Sequence, residues 1–219
     1  MSERAAVLQY DLSGRAGYAI WAPGLAKPYH GILNLPPSRT NGSNGPALKL
    51  LFEHVTWADR NFGLAHIGFE LFIAATGSRE LDAKTTFVTS PKTQRKQIGL
   101  IAAIDLCAEI LEIDATPVHN MSWRTLWLGS QPRGTKRDRW KVLAVNKARS
   151  MGWDPKGDDD ADAIGQLHWL LAKLDIRPDW LPTGQHQLNF AKVAATITTG
   201  ERNGEAKRRR IQKAKERHI

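Results

Sequence analysis

The sequence predicts an α/β fold built on a mixed sheet. Three observations carry that expectation. Strand-like and helix-like patterns follow one another in the order β-β-β-α-β-α-β-α-α. The first two strand patterns flank turn residues, the signature of a hairpin. The last core helix opens on a run of acids, Asp158-Asp159-Asp160-Ala161-Asp162, and continues as an apolar stripe of Ala163, Ile164, Leu167, Leu170 and Leu171.

The elements are predicted as follows. Ala5 to Tyr10 reads as a strand ending at Asp11, Leu12 to Gly17 as its turn, and Tyr18 to Trp21 as the returning strand. Tyr29 to Leu35 supplies a third strand, and the Pro/Gly/Asn-rich segment from Pro36 to Pro46 is a loop. Leu48, Leu51, Phe52, Val55 and Ala58 form one face of a helix from Ala47 to Asn61. Leu64 to Phe69 is an apolar strand running into Glu70, and Ala74 to Thr86 is a polar connection with Arg79 and Lys84. Ser90-Pro91 starts a helix with Pro at the first helical position. Ile98, Ile101, Ala102, Asp105/Leu106, Glu109/Ile110 and Ile113 repeat through it at helical spacing. Its first turns carry Lys92, Arg95 and Lys96, against the helix dipole. Ala115 to His119 is a short strand, Trp123 to Leu128 one or two helical turns closed by Gly129, and Gln131 to Lys136 a basic loop with Arg133. A helix from Thr135 to Met151 precedes the acidic one. After Leu174 come a Pro-containing stretch, a short amphipathic piece from Leu188 to Ile197, and a basic tail.

Acids at a helix start suit the macrodipole. Asp159 and Asp162, however, stand three residues apart on one face and border a core-facing stripe, where their charges repel and lose solvation. A divalent cation relieves both costs, and Mg²⁺ favours sparse carboxylate ligation. Asp158 with Asp162, four residues apart, is also a workable pair. Glu70 lies between apolar neighbours, so alternation points it away from them. If the first and fourth strands are neighbours and the acidic helix packs over them, Asp11, Glu70 and the helix acids meet at one end of the sheet. Such a cluster can hold two Mg²⁺ ions about 3.5–4 Å apart and hydrolyse a phosphodiester without a nucleophilic side chain.

The chain has 219 residues, enough for one large domain or one with an extension. Its 31 Lys/Arg exceed its 22 Asp/Glu by nine. More than half of that excess lies between Glu201 and Ile219, which includes Lys207, Arg208, Arg209 and Arg210. A basic chain with a basic tail points to a polyanion partner, most simply nucleic acid. There is no apolar run of about 18 residues, so no membrane span is expected, and the N-terminus lacks a signal-peptide pattern. Cys107 is the only cysteine and falls in an apolar helix pattern, so it reads as a buried, inert thiol in a reducing compartment. The seven His show no ligand spacing, and His119 and His168 read as core or edge residues. Trp123 and Trp127, beside Arg124, are the candidates for stacking on bases.

Taken together, Val7-Leu8-Gln9-Tyr10-Asp11, Ile67-Gly68-Phe69-Glu70, Gly99-Leu100-Ile101-Ala102-Ala103 and Asp159-Asp160-Ala161-Asp162-Ala163 resemble, in order, the motifs of RuvC-type Holliday junction resolvases of the RNase H-like superfamily. Leu128-Gly129 followed by Lys136 is similar to that family's basic Gly-containing loop. Leu12-Ser13-Gly14 stands where the family often has Asp-Pro-Gly.

The resemblance implies an RNase H-like mixed sheet flanked by helices over residues 1–174, with a basic extension over 175–219. It implies a homodimeric crossover junction endodeoxyribonuclease that uses Mg²⁺, with Mn²⁺ able to substitute, in the cytoplasm of a bacterial or phage-infected cell. It aligns Asp11, Glu70, Asp159 and Asp162 as catalytic, metal-holding acids. Phe72 and the segment through Arg79 and Lys84 are then expected near the crossover of a four-way junction, Phe72 as a wedge between bases. Lys92, Arg95, Arg124, Arg133, Lys136 and the tail cations would meet phosphates. Other expectations on the same scaffold are an RNase H, a flap or packaging nuclease, or a non-catalytic nucleic-acid-binding protein.

Overall fold

The computed structural model describes residues 4–71 and 90–180. Among these, β1 (Ala6–Asp11), β2 (Arg15–Trp21) and β3 (Tyr29–Asn34) are followed by α1 (Gly45–Phe62), β4 (Leu64–Glu70), α2 (Pro91–Leu111) and β5 (Asp114–Val118). Three helices close the described chain: α3 (Asn120–Leu128), α4 (Arg137–Ser150) and α5 (Asp158–Lys173). The strands form one sheet in the order β3-β2-β1-β4-β5. The β1–β2 and β2–β3 pairs are antiparallel, and β1–β4 and β4–β5 are parallel. This is the expected mixed sheet flanked by helices.

β1 is the central strand and is buried at every position. Alternation sends Ala6, Leu8 and Tyr10 to one side, where Leu51 and Val55 of α1 and Leu100 and Ile104 of α2 complete a hydrophobic core. Val7 faces the other side, against Ile164, Leu167, Leu170 and Leu171 of α5. Trp123 and Trp127 of α3 and Ala144 and Ala148 of α4 close over α5 from outside. A helix between a sheet and two further helices is buried all round rather than along one stripe, and α5 is buried from Asp160 to Ala172. Gly165 permits the α3–α5 approach, because a Cβ there would lie 2.8 Å from the rings of both Trp123 and Trp127.

The structure corrects the sequence reading in four places. β2 begins at Arg15, not Tyr18, because Gly17 pairs with Asp11 inside the ladder instead of belonging to the turn. Among the described residues three helices follow β5 rather than two, since α3 runs for nine residues from Asn120. Trp123 and Trp127 are buried in the α5 layer, so neither ring is free to stack on bases. The helical repeat read through α2 is largely its outer face. Leu100, Ile104, Cys107 and Ala108 are the buried positions, while Ile98, Leu106 and Ile110 are exposed.

The Ser90-Pro91 start of α2 is as expected, and the Ser90 side chain accepts from the Thr93 N–H at 3.2 Å. Cys107 is buried, and burial pushes its thiol up to about 11, which fits an inert role. Leu174 caps α5, and Ile176 and Trp180 still pack against that layer. Among the described residues no helix is long and apolar enough to cross a membrane. Phe72, Arg79, Lys84, the 188–197 piece and the tail with Lys207, Arg208, Arg209 and Arg210 lie outside the described residues.

Candidate active site

The register of the parallel pair β1–β4 matches Tyr10 with Phe69. One residue further on, the two strands end on Asp11 and Glu70. Tyr10 and Phe69 both belong to the core beneath α1 and α2, so alternation turns Asp11 and Glu70 to the opposite side, under α5.

Asp11 is also the antiparallel partner of Gly17. A Cβ at Gly17 would sit 1.9 Å from the carbonyl oxygen of Asp159. The missing side chain is therefore what lets the first turn of α5 cross the sheet beside Asp11. A glycine inside a strand commonly marks such a close backbone approach.

The three consecutive acids that open α5 go to three destinations. Asp158 pairs with Lys141 of α4, and that pairing holds its carboxyl below the usual range. Asp160 is fully buried, with His30 Nδ1 of β3 at 3.0 Å and the Lys156 backbone N–H donating to it at 2.8 Å. It fastens the helix start to the far edge of the sheet, a role the sequence reading did not foresee. Asp159 turns into a cavity of about 690 Å³ together with Asp11, Glu70 and Asp162. Of the two pairs left open by spacing, Asp159/Asp162 is the one that lines this space.

The opposite wall carries Arg124 and Asn120 of α3, and Arg137, Trp140 and Lys141 of α4. Arg124 lies 3.9 Å from Asp162 and stacks over Trp123 and Trp140, 5.2 and 5.7 Å from their ring centres. Among the described residues, Arg124 is thus the one predicted cation that lines the cavity. Lys92, Arg95, Arg133 and Lys136 are exposed outside its lining. Arg137, Lys141 and Trp140 were missed, although the run Arg137-Asp138-Arg139-Trp140-Lys141 interleaves cations with an aromatic ring.

The acids are electrostatically crowded. Burial first, then a hydrogen bond with Glu70 and its charge, then the charges of Asp162 and Asp159, hold the Asp11 carboxyl well above the ordinary carboxylate range. Burial pushes Asp162 up to about 7, Arg124 opposes the shift, and Glu70 adds to it. Asp159 is raised by burial and by Asp158, against the pull of Lys141, Arg15 and Arg137. Asp162 Oδ1 is buried with no hydrogen-bond partner. Buried carboxylates that repel one another and leave an oxygen unsatisfied are what a cation would relieve.

The donor set is oxygen only, which suits a hard divalent ion. Among the described residues no three His, Cys, Asp or Glu groups are already disposed around one ion. The acids line an open space instead, which fits an ion that keeps several waters.

No protein-family profile matches the chain, and no curated protein sequence does. Among solved structures the chain is similar to Thermus thermophilus RuvC in complex with Holliday junction substrate, at 12% identity, 77% of this chain, 95% of that one and a TM-score of 0.49. Thermus thermophilus RuvC alone gives 13%, 78%, 97% and 0.49. The yeast mitochondrial Holliday junction resolvase Ydc2 gives 13%, 74%, 78% and 0.48. Likeness at this level assigns no role to any residue here.

Proposed function

We propose that this chain is a divalent-metal-dependent, structure-selective DNA endonuclease that hydrolyses phosphodiesters in four-way junctions or other branched DNA. The observation that carries the reading is the convergence of Asp11, Glu70, Asp159 and Asp162, from two parallel strand ends and one helix, on a cavity whose other wall is cationic and aromatic. Mg²⁺, or Mn²⁺ in its place, supplies when bound the Lewis acidity that makes a water nucleophilic near neutral pH and stabilises the leaving oxygen.

The chain's own residues do the rest. The four carboxylates hold and orient the site. Arg124 offsets the charge of Asp162 at 3.9 Å, and Arg137 and Lys141 offer charge to a phosphate entering across the acids. Lys92, Arg95, Arg133 and Lys136 guide the flanking backbone. Lys207, Arg208, Arg209 and Arg210 add contacts without sequence choice. Phe72 acts as a wedge at the crossover, flanked by Arg79 and Lys84. Residues 1–174 form the nuclease unit and 175–219 its extension. A four-way junction has two symmetric strands to cut, so the working form is a homodimer with one site per chain.

The test is cleavage of a labelled four-way junction beside a linear duplex and an RNA–DNA hybrid, each with Mg²⁺ and with EDTA. The reading predicts junction cutting that needs the metal. Preferential cutting of the hybrid would make the chain an RNase H, and of a flap a flap nuclease. Binding with no cleavage of any substrate would overturn the enzyme assignment.

A further inference from the structure

The first turn of α5 is held from outside the acid cavity. Asp160 is the third helical residue after the Gly157 cap. An acid at that position can reach back to a backbone N–H ahead of the helix, as in a capping box. Asp160 does so, and its Oδ2 accepts from the Lys156 N–H at 2.8 Å. The same carboxylate also turns sideways to the edge strand β3. There His30 Nδ1 stands 3.0 Å from Oδ1 and 3.1 Å from Oδ2. The Asp160 side chain is wholly buried and that of His30 is 13% exposed. A buried carboxylate needs such partners, because leaving it without them is costly.

Strand register explains how a residue of the edge strand comes to bear on the site. His30 pairs with Ala19 and Ala19 with Gln9, while Ile32 pairs with Gly17 and Gly17 with Asp11. These are neighbouring rows on one face of the sheet, two residues apart along each strand. His30 therefore shares the face of Asp11, although it lies outside the lining of the cavity.

Asp160 stands between Asp159 and Asp162, the two acids that α5 turns into the cavity. Successive helical side chains leave the axis about 100° apart. Holding Asp160 sideways therefore fixes the rotation that aims the other two. The other contacts of this turn are less restrictive. The close approach at Gly17 involves the Asp159 backbone carbonyl and sets how near the turn comes to the sheet. The Asp158–Lys141 pair ends on a long side chain, and its two members are 31% and 28% exposed. We infer that His30 is a positioning residue of the acid site, which acts through Asp160 to set where Asp159 and Asp162 stand against Asp11 and Glu70.

This rests on the metal-dependent reading of the site and adds to it a residue of β3. The test reads metal binding without DNA, and strand cutting is scored separately. The full chain is titrated with Mn²⁺, the free ion is counted by electron paramagnetic resonance, and the temperature is one at which circular dichroism reports every variant folded. His30→Ala should weaken Mn²⁺ binding about tenfold, as loss of a residue that supports a metal site does. His30→Asn, which returns a donor near the place of Nδ1, should recover most of that loss. Leu51→Ala, on the opposite face of the sheet, should lower the melting temperature and leave Mn²⁺ affinity unchanged. If His30→Ala does not fold, His30→Gln carries the test: its donor sits one bond further out, so it should bind Mn²⁺ more weakly than His30→Asn. Wild-type affinity in His30→Ala, or a His30→Asn chain that regains stability but not affinity, would overturn the inference and leave the nuclease reading intact. A wild-type chain that binds no Mn²⁺ would overturn both. A wild-type chain that binds Mn²⁺, loses affinity in His30→Ala and cuts no DNA would sink the nuclease reading and leave this one standing.

Discussion

The two faces of the sheet are made of different material. The face under α1 and α2 is a hydrocarbon core, from Leu8 and Ile67 through Leu51, Val55, Leu100 and Ile104. Its main polar contact, between Tyr10 and His54, stays uncharged, since burial lowers His54 to about 4 and raises Tyr10. The face under α5 holds Gln9, Asp11, His66, Asp160, Asp162 and Gln166, all buried. Several of their polar atoms lack partners, among them Gln9 Oε1, Gln166 Nε2 and Asp162 Oδ1. Each such atom costs about 1–3 kcal/mol. One side of the sheet supplies stability, and the other spends part of it to keep charged groups dry and close together.

The contrast can be broken or sharpened by experiment. Leu51→Ala on the hydrocarbon side should cost about 2–5 kcal/mol, from lost transfer energy and a cavity. Cleavage per folded molecule, measured well below its melting temperature, should survive. If cleavage falls with stability intact, the two faces are not separable.

Gly17→Ala acts on the other side. Its Cβ would meet the Asp159 carbonyl at 1.9 Å, so overpacking should cost about 1–3 kcal/mol. Here junction cleavage should drop even at temperatures where circular dichroism reports a folded chain, because the α5 start is displaced from Asp11. A variant that melts earlier but cuts normally would mean that the close approach serves folding alone.

The acids should make the metal-free protein sensitive to pH in a particular direction. Asp11 and Asp162 are raised, so the folded state keeps protons that the unfolded chain releases. Stability then falls as pH rises from the ordinary carboxylate range, about 4, to about 7, where Asp162 ionises. Asp158, lowered by Lys141, works oppositely: its contribution is present above that range and is lost on acidification. In EDTA the acids should contribute a downward shift of the melting curve between about pH 5 and about pH 7.5, against the opposite contribution of His54 and His66, which burial lowers. Asp162→Asn should shrink that shift, and adding Mg²⁺ at the upper pH should reverse it. An equal shift in wild type and Asp162→Asn would remove this acid from the account.

The smallest effect is expected on the cationic wall. Arg137→Gln should lower the slope of log affinity against log salt by about 0.7–0.9, as one phosphate contact does, while leaving the choice between junction and duplex unchanged. An unchanged slope would take Arg137 out of the DNA path.

Much of this was legible in the chain. Asp11 and Glu70 could be read because each ends a strand, and a strand's two-residue period fixes which way its last side chain points. Asp159 and Asp162 shared a face by helical geometry alone. What α5 does with Asp158, Asp159 and Asp160 could not be read. It depends on Lys141 and His30, which are 17 and 130 residues away from their partners in sequence. Gly17 looked like a turn residue because glycine is common there, and only the position of α5 reveals its other use. Trp123 and Trp127 resembled a stacking pair because composition cannot distinguish an exposed ring from one pressed against Gly165. The outward repeat of α2 was visible as a period, but a period does not say which face turns inward.

The central claim is that the polar face of the sheet is one hydrolytic site. Its most direct test is Glu70→Gln, assayed for junction binding and junction cleavage in the same preparation with Mg²⁺. The account predicts cleavage at background, with affinity equal to or slightly tighter than wild type because a negative charge near the phosphate is gone. Normal cutting by Glu70→Gln would contradict it.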